Sequence, residues 1–323
     1  RTGIRVIFHF GCAEIRMQKT IDWDLLRSFL AVARAGKLTV AARRLKINHA
    51  TLSRRIQALE TALDTKLFDR LLSGYVLTVQ GERLLARAED MESSVFGIQT
   101  DVASEGGDVS GTVRVGSPDG FGTAFLAPRI GALAEAHPDL DIELVAMPRS
   151  FSLSKREADI AIGLSPPQQG RLHARKLTDY ELGVYGAVSK SELWSAIQSA
   201  DDFARHPFIS YIDDLIFAPE LDYLPTIARS IVPHIRSSSL IAQMEAAAAG
   251  AGLCVLPCFL AGRDARLVRI LPEEVRLVRT FWMIIHSDMR SLPRISATSA
   301  FILRQVQQAG NLFLPDRRPG AEV

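Results

Sequence analysis

The sequence predicts an α/β protein in which a small helical domain and one long helix precede a larger α/β domain. Residues 24–63 contain three helix-period patterns in succession, and residues 79–104 contain a regular apolar pattern without proline. Beyond a glycine-rich polar segment at 105–111, short strand patterns alternate with helical patterns near 121–136, 238–250 and 293–308. The strand patterns are Thr112–Gly116, Ile142–Met147, Ile160–Leu164, Gly183–Val188, Leu253–Leu256 and Phe281–His286. This alternation is typical of an α/β domain with a parallel or mixed sheet.

Composition places the 323-residue chain among globular proteins with room for two or three compact units. The sequence contains no run of 18 or more apolar residues, so it predicts no membrane span. The three cysteines cannot all pair in disulfides, so we expect the protein to reside in the reducing cytoplasm. Cys254 and Cys258 are interpreted as two buried structural thiols in preference to a redox pair. Residues 1–16 lack a signal-peptide core and are expected to be a poorly ordered leader or cloning remnant before Met17.

Residues 38–63 predict two short helices joined by a tight turn. Asn48 is placed as the N-cap of the second helix, because its side-chain oxygen can accept a free backbone N–H. The apolar residues of that helix form one inward stripe: Leu52, Ile56, Leu59 and Leu63. The residues expected to point outward are Ala50, Arg54, Gln57 and Thr61, with Thr51 and Ser53 on the flanks. Such a face suits the base edges and phosphates of a DNA major groove.

The flanking segments favour a helix-turn-helix over a generic amphipathic helix pair. A preceding helix at Asp24–Ala35 completes a three-helix core, and a turn at Ser73-Gly74 between apolar runs predicts a β-hairpin wing. Between Lys37 and Arg83, nine Lys and Arg residues stand against four Asp and Glu residues, whereas the whole chain has a net charge of +2. Because phosphates attract such a surplus, double-stranded DNA is the predicted partner.

Nine side chains of this segment are predicted to contact DNA. The groove contacts are assigned to His49, Thr51, Ser53, Arg54 and Gln57. The phosphate contacts, assigned on charge and position, are Lys37, Arg55, Lys66 and Arg70.

The helix that follows, from Val79 to about Ser104, is predicted to pair with a second copy of the chain. Thr78 is its candidate N-cap. Its apolar residues recur at intervals of 4 and 3: Leu84, Ala88, Met91, Val95, Ile98 and Val102. A seam with this period indicates a coiled-coil dimer. The alternative is a single helix packed against its own domain, although such a helix buries a wider stripe.

Four segments carry a resemblance to one family: FLAVARAGKLTVAARRLKINHATLSRRIQALETALDTKLFDRLLSGYVLTVQGERLL, GTVRVGSPDGFGTAFLAP, EADIAIGL and AAAAGAGLCVLP. Together they resemble the LysR-type transcriptional regulators, from Met17 to the C-terminal helix. Two departures stand out. His49 occupies a position where the family usually has glutamine, and Leu71-Leu72-Ser73 replaces a wing tip that usually carries a basic residue.

The resemblance implies a DNA-binding transcriptional regulator controlled by a small-molecule effector. It implies a winged helix-turn-helix at 17–79, a linker helix at 80–104, a hinge at 105–111 and an effector domain at 112–323. The effector domain would resemble periplasmic binding proteins, with Rossmann-like subdomains joined by two crossover strands around a ligand cleft. We expect subdomain I at about 112–165 and 288–323, and subdomain II at about 166–287. The family also implies dimers through the linker helix, usually within a homotetramer.

The effector site is expected where strands end and helices begin, because ligands of open α/β sheets bind there. The predicted residues are Ser117, Gly120, Phe121, Gly122, Thr123, Ser237 and Ser238. Serine hydroxyls and helix N-terminal amides suit a small organic acid, although each serine can equally be a helix cap. Asp119 would repel an anion, so either the effector is neutral or cationic or Asp119 points away from the cleft.

The sequence contains no motif of a catalytic site. The seven histidines are scattered, and no phosphate loop, metalloprotease motif or nucleophile elbow occurs. We therefore expect no catalytic residue, no metal and no cofactor. The alternative function is a two-lobed solute-binding receptor without DNA binding; the basic N-terminal segment and the missing export signal speak against it. An enzyme is supported only by the α/β pattern.

Overall fold

The computed structural model describes residues 22–71, 74–103, 109–147, 149, 151, 153, 157–167 and 171–315; within the long helix, the side chains at 90, 93, 94 and 96–103 are not described. The expected leader at 1–16 and most of the expected hinge lie outside these residues. The chain divides into two compact units, Arg1–Glu92 and Ser93–Val323, which we describe separately.

The first unit consists of three short helices, a hairpin and the first part of a long helix that continues beyond Glu92. These elements are the ones that the sequence predicted. In chain order they are α1 (Trp23–Ala35), α2 (Leu38–Leu45), α3 (His49–Leu63), β1 (Phe68–Leu71), β2 (Gly74–Leu77) and α4 (Val79–Ala103). The two strands pair antiparallel, from Phe68 opposite Leu77 to Leu71 opposite Gly74.

Side-chain caps fix where these helices begin. The Asn48 carboxamide oxygen accepts the Ala50 N–H at 2.8 Å, which confirms the predicted start of α3. The Thr78 hydroxyl accepts the Gly81 N–H at 3.0 Å and so caps α4. Left-handed residues end α1, α2 and α3: Gly36, Lys46 and Asp64.

The core of the first unit lies between the three helices and includes the start of α4. Of the predicted inward stripe, Leu52, Ile56 and Leu59 are buried and Leu63 is partly buried. Ala88 is fully buried in this core and Leu84 packs against it. The first two residues of the predicted coiled-coil seam therefore pack against their own domain. The alternative interpretation had proposed such packing for the whole helix.

Two polar contacts attach the wing and α4 to the three helices. The buried Glu60 side chain accepts the N–H groups of Leu67 at 2.9 Å and Phe68 at 3.4 Å, which joins α3 to the first strand of the wing. Arg34 of α1 donates to both oxygens of Glu92 in α4, at 2.6 and 3.3 Å. Because Arg34 and Glu92 are largely buried, this bidentate pair resists screening by salt.

A close backbone contact also holds the wing. The Tyr75 N–H donates to the Gly36 carbonyl at 2.8 Å. Gly74 has a φ of 140°, and a Cβ at this position would overlap the Gly36 carbonyl oxygen. Glycine at position 74 is therefore required by conformation and by space.

The second unit contains one mixed sheet with helices against it. Its strands are β3 (Gly111–Ser117), β4 (Leu140–Ala146), β5 (Ile160–Gly163), β6 (Leu172–Ala187), β7 (Phe208–Ser210), β8 (Ile235–Arg236), β9 (Leu253–Pro257), β10 (Leu267–Ile270) and β11 (Leu277–His286). The α-helices are α5 (Gly131–Ala136), α6 (Ser191–Trp194), α7 (Leu224–Ile227), α8 (Leu240–Ala248), α9 (Cys258–Ala261) and α10 (Pro293–Gln308). Short 3₁₀ turns lie at Val188–Lys190, Ala200–Arg205, Asp213–Leu215, Pro219–Leu221, Ser287–Met289 and Gly310–Leu312.

The sheet order shows two parallel groups joined by two long strands. The order is β4-β3-β5-β11-β6-β9-β7-β8, and β10 pairs with β6 outside this path. β3 runs parallel to β4 and β5, and β7 runs parallel to β8 and β9. The long strands β6 and β11 pair antiparallel between the two groups. This arrangement agrees with two subdomains joined by two crossover strands.

The structure corrects one helix of the second unit. The sequence predicted one helical segment over 121–136, but a π-helical turn forms at Phe121–Leu126 and α5 begins only at Gly131. Gly122 packs so closely on Ala146 that a Cβ there would meet the Ala146 Cβ at 2.6 Å. The turn therefore lies tightly against β4, and Gly131 at the start of α5 weakens helix propensity.

Candidate functional site

The predicted groove residues lie together at the N-terminal half of α3. His49, Arg54 and Gln57 are exposed, whereas Thr51 and Ser53 on the flanks are half-buried. The Asn48 cap and the buried stripe fix the rotation of the helix, so these side chains share one surface. The surface combines an arginine, an amide, an imidazole and two hydroxyls, which together offer donors and acceptors to base edges.

The four predicted phosphate contacts differ in their surroundings. Lys37 is exposed immediately before α2, and exposed Arg70 of the wing lies 5.6 Å from the centroid of the Tyr75 ring. Arg55 pairs with Asp24 at 3.5 Å, and Lys66 lies 3.5 Å from a Glu60 oxygen. The Lys66 side chain is 77% exposed, so this ion pair is weak and its ammonium stays accessible.

Sequence reasoning missed two further cations. Arg43 and Arg44 are exposed in the last turn of α2, the helix that precedes α3. The sequence shows them as two consecutive arginines near the end of a predicted helix, where cations also interact favourably with the helix dipole. They extend the basic surface of the first unit.

The second unit contains a cleft with about 30 Å³ of space open to water-sized molecules; the wider empty space of about 390 Å³ includes the solvent at its mouth. Of the predicted effector residues, Gly120 and Phe121 line it, together with Pro118 and Asp119 of the same loop. The residues that lie outside its lining are Ser117, Gly122, Thr123, Ser237 and Ser238. Half of the lining side chains are aromatic, and no Lys, Arg or His is among them.

Local hydrogen bonds explain why the predicted serines do not face this cleft. Ser117 is fully buried, and its hydroxyl donates to the Pro118 carbonyl at 3.1 Å. The Ser237 hydroxyl accepts the Ser239 N–H at 3.2 Å. Both are local turn contacts, and the serine that caps α8 is the neighbouring Ser239.

Asp119 occupies the position at which a ligand carboxylate was expected. Its Oδ2 atom accepts the Ser239 hydroxyl at 2.6 Å and the Ile241 N–H at 3.4 Å. Ser239 is the N-cap of α8, since its hydroxyl also accepts the Ala242 N–H at 3.2 Å. The carboxylate of Asp119 therefore lies at the positive end of the α8 dipole, where an anion is stabilised.

Three buried tyrosines supply the polar atoms of the aromatic lining. Burial raises the pKa of Tyr180, Tyr211 and Tyr223, so all three phenols stay neutral at physiological pH. The Tyr211 and Tyr223 side chains are hydrogen-bonded to each other. The cleft thus offers neutral hydroxyls and ring faces, with one carboxylate at its edge.

Two other sets of buried polar groups in this unit have structural roles. Buried Glu181 pairs with Arg269 at 2.6 Å and Arg276 at 2.9 Å. Cys254 and Cys258 are buried and are not joined in a disulfide, and burial raises the pKa of Cys254 so that its reactive thiolate is suppressed. Within the described part of the chain, no three His, Cys, Asp or Glu residues group as a metal site. No helix among the same residues combines the length and apolarity needed to span a membrane.

Comparison with known families decides the identity. The profile of the LysR substrate binding domain matches residues 106–307, more than half of the chain. The profile of the bacterial regulatory helix-turn-helix protein, lysR family, matches residues 23–82. The chain belongs to the LysR family. It is accordingly a DNA-binding transcriptional regulator controlled by an effector, and not an enzyme.

LysR-type relatives match along most of the chain. The regulator PtxR of Pseudomonas aeruginosa is 27% identical over 268 residues, which cover 80% of this chain and 85% of PtxR. The regulator AbaB of Streptomyces antibioticus is 28% identical over 303 residues, which cover 85% of this chain and 95% of AbaB.

Solved LysR-type structures share the fold. ArgP of Mycobacterium tuberculosis superposes with a TM-score of 0.67 at 18% identity, covering 89% of this chain and 98% of ArgP. A full-length variant of OxyR from Pseudomonas aeruginosa superposes with a TM-score of 0.66 at 20% identity, covering 89% of this chain and 98% of OxyR.

Proposed function

We propose that this regulator reads specific DNA through the exposed face of α3 and responds to a small molecule held in the aromatic cleft. The observation that carries the proposal is the exposure of Arg54 and Gln57 on a helix whose start is fixed by Asn48. Groove contacts are assigned to His49, Thr51, Ser53, Arg54 and Gln57. Phosphate contacts are assigned to Lys37, Arg55, Lys66 and Arg70, with Arg43 and Arg44 added from their exposure.

We further propose a dimer through α4, assembled into a homotetramer in the cytoplasm. Support for the dimer comes from Met91, a seam residue whose side chain is 48% exposed within the single chain. A large apolar side chain in this position gains from a partner helix. A twofold dimer presents two α3 helices to half-sites one DNA turn apart, which matches DNA symmetry to protein symmetry. The domain limits proposed are 17–79, 80–104, 105–111 and 112–323.

The effector is proposed to bind beside Gly120 and Phe121. Both residues line the cleft, at the carboxyl end of β3, where open α/β sheets bind ligands. The described part of its lining contains no cation, so the small organic acid expected from the family has no counter-charge among those side chains. The chemical class of the effector is argued in the next section.

Arg54→Ala tests the DNA contact most sharply. DNA enriched from a random pool by the wild-type protein provides the specific sequence, and unselected DNA provides the reference. Arg54→Ala is expected to weaken binding to the enriched DNA by about 1–3 kcal/mol and to relax base preference. Arg304→Ala removes the same charge from an exposed site on α10 and should leave both affinities unchanged. An equal loss on enriched and unselected DNA would make Arg54 a phosphate contact.

A further inference from the structure

We propose that the cleft accepts a small ring-bearing molecule whose polar end is a protonated amine, and that it disfavours a carboxylate. This inference rests on the proposed role of the cleft as the effector site. It departs from the organic acid that the serines and helix N-termini predicted. Three features carry it: the charge of the lining, a second carboxylate beside it and the aromatic walls.

The charge of the lining is negative. Among the lining residues that the structure describes, Asp119 is charged and none is a Lys, Arg or His. Its Oδ2 atom accepts hydrogen bonds from the Ser239 hydroxyl and the Ile241 N–H. Its Oδ1 atom receives no hydrogen bond from any residue the structure describes. An ammonium group can donate to this free oxygen, whereas a ligand carboxylate would face a like charge.

Asp119 also removes the attraction that the α8 N-terminus would offer to an anion. The helix dipole and the first N–H groups favour negative charge at this position. The protein supplies that charge itself through Asp119. A ligand carboxylate would therefore have to displace an internal carboxylate together with its 2.6 Å bond to Ser239.

A second carboxylate lies close to the same walls. Glu220 immediately precedes Leu221, which lines the cleft, and its Oε2 atom is buried without a hydrogen-bond partner among the described residues. Burial raises the pKa of the lining residue Tyr180; the Arg279 cation lowers it, and the Glu220 carboxylate raises it by a smaller amount, so a positive and a negative charge both act on this wall from outside the lining. Arg279 donates to the Val278 carbonyl at 3.0 Å and is not part of the lining.

The walls favour a ring. Tyr180 and Phe281 stack with centroids 4.0 Å apart and planes at 12°, and Tyr211 lies 6.2 Å from Tyr223. Phe217 and Phe259 extend this aromatic surface. Aromatic walls stabilise a bound ring by apolar burial and attract a cation to their faces. A ligand with an amine attached to a ring would place its ring against these walls and its ammonium group near Asp119.

The test compares three probes built on one ring: benzylamine, benzyl alcohol and benzoate. Each is added at the same concentration to the full chain, and the melting temperature is measured, because a ligand of the folded state raises it. We expect the largest rise with benzylamine, a smaller rise with benzyl alcohol and none with benzoate. Benzoate giving the largest rise, equal rises with all three, or no rise with any would overturn the proposal.

Two variants of Asp119 test its role. Asp119→Asn keeps an acceptor for Ser239 but removes the charge, so the advantage of benzylamine over benzyl alcohol should disappear. Asp201→Asn is the matched control, because Asp201 is exposed in the same unit and away from the cleft lining. Asp119→Ala vacates the anion position, and added acetate should raise its melting temperature but not that of the wild type.

The Asp119 variants provide a second test of the proposed ligand class. An unchanged benzylamine preference in Asp119→Asn contradicts the proposal even if Asp119→Ala fails to fold. DNA binding is measured in parallel on the same preparations, without probe. If the probes do not give the expected order of melting temperatures but DNA binding is normal, only this inference is contradicted. If the protein does not bind DNA, the proposed function is contradicted.

Discussion

The Ser239 hydroxyl donates to Asp119 at 2.6 Å while accepting the Ala242 N–H at 3.2 Å. One serine thus caps α8 and holds the loop that follows β3, 120 positions earlier in the chain. Its two hydrogen bonds join two segments that line the candidate effector cleft, the loop at Asp119 and the start of α8 at Leu240. The position of Asp119, on which the proposed ligand class depends, is set by this contact.

Ser239→Ala is expected to lower stability by about 1 kcal/mol or more, because it removes a helix cap and leaves the Asp119 carboxylate with one partner fewer. Thermal or urea unfolding of the full chain measures the loss. Ser238→Ala is the matched control: Ser238 is half-buried beside it, and its removal should change stability by less than about 0.5 kcal/mol. Equal losses in both variants would show that the Asp119 contact contributes nothing.

Substitutions at Asn48 separate the cap of α3 from its role near DNA. Asn48→Ala should cost about 1 kcal/mol of stability, because the Ala50 N–H loses its acceptor. Asn48→Asp retains an acceptor and should keep the stability, but its negative charge should weaken DNA binding by repelling phosphates. Unfolding curves and gel-shift titrations measure the two effects. Wild-type DNA affinity in Asn48→Asp would place this end of α3 away from DNA.

Met91→Glu tests the dimer proposed for α4. A carboxylate at this exposed seam position would be buried against a partner helix, so the average mass in sedimentation should fall towards the monomer. Ala86→Glu introduces the same group on the exposed opposite side of the heptad and should leave the mass unchanged. If Met91→Glu keeps the wild-type mass, the seam does not form the dimer interface.

The elements that the sequence predicted best are those set by neighbouring residues. The Asn48 cap and the stripe from Leu52 to Leu59 depend on interactions within a few positions, and the limits of α3 followed from them. The wing strands pair as predicted, while Ser73 of the predicted turn lies outside the described residues. The buried strand Leu253–Pro257 was predicted at Leu253–Leu256, because a buried strand is a continuous apolar run, whereas the long strand Leu172–Ala187 was predicted only at Gly183–Val188.

Contacts between distant residues were not predictable in the same way. The strands Phe208–Ser210, Ile235–Arg236 and Leu267–Ile270 are too short to show a period and form only because neighbouring strands bond them. The heptad pattern does not distinguish a partner helix from the core of its own domain, so the burial of Ala88 was missed. The sequence raised the charge of Asp119 as an objection to an anionic effector, but its bond to Ser239 required the fold.

The salt dependence of DNA binding by the full chain tests the central claim most directly. If Lys37, Arg70 and the neighbouring cations neutralise phosphates, the logarithm of the association constant should fall linearly with the logarithm of the salt concentration. Six or more phosphate contacts predict a loss of about a thousandfold or more between roughly 50 and 200 mM salt. No binding at the lowest salt concentration, or an affinity that does not change with salt, would contradict the account.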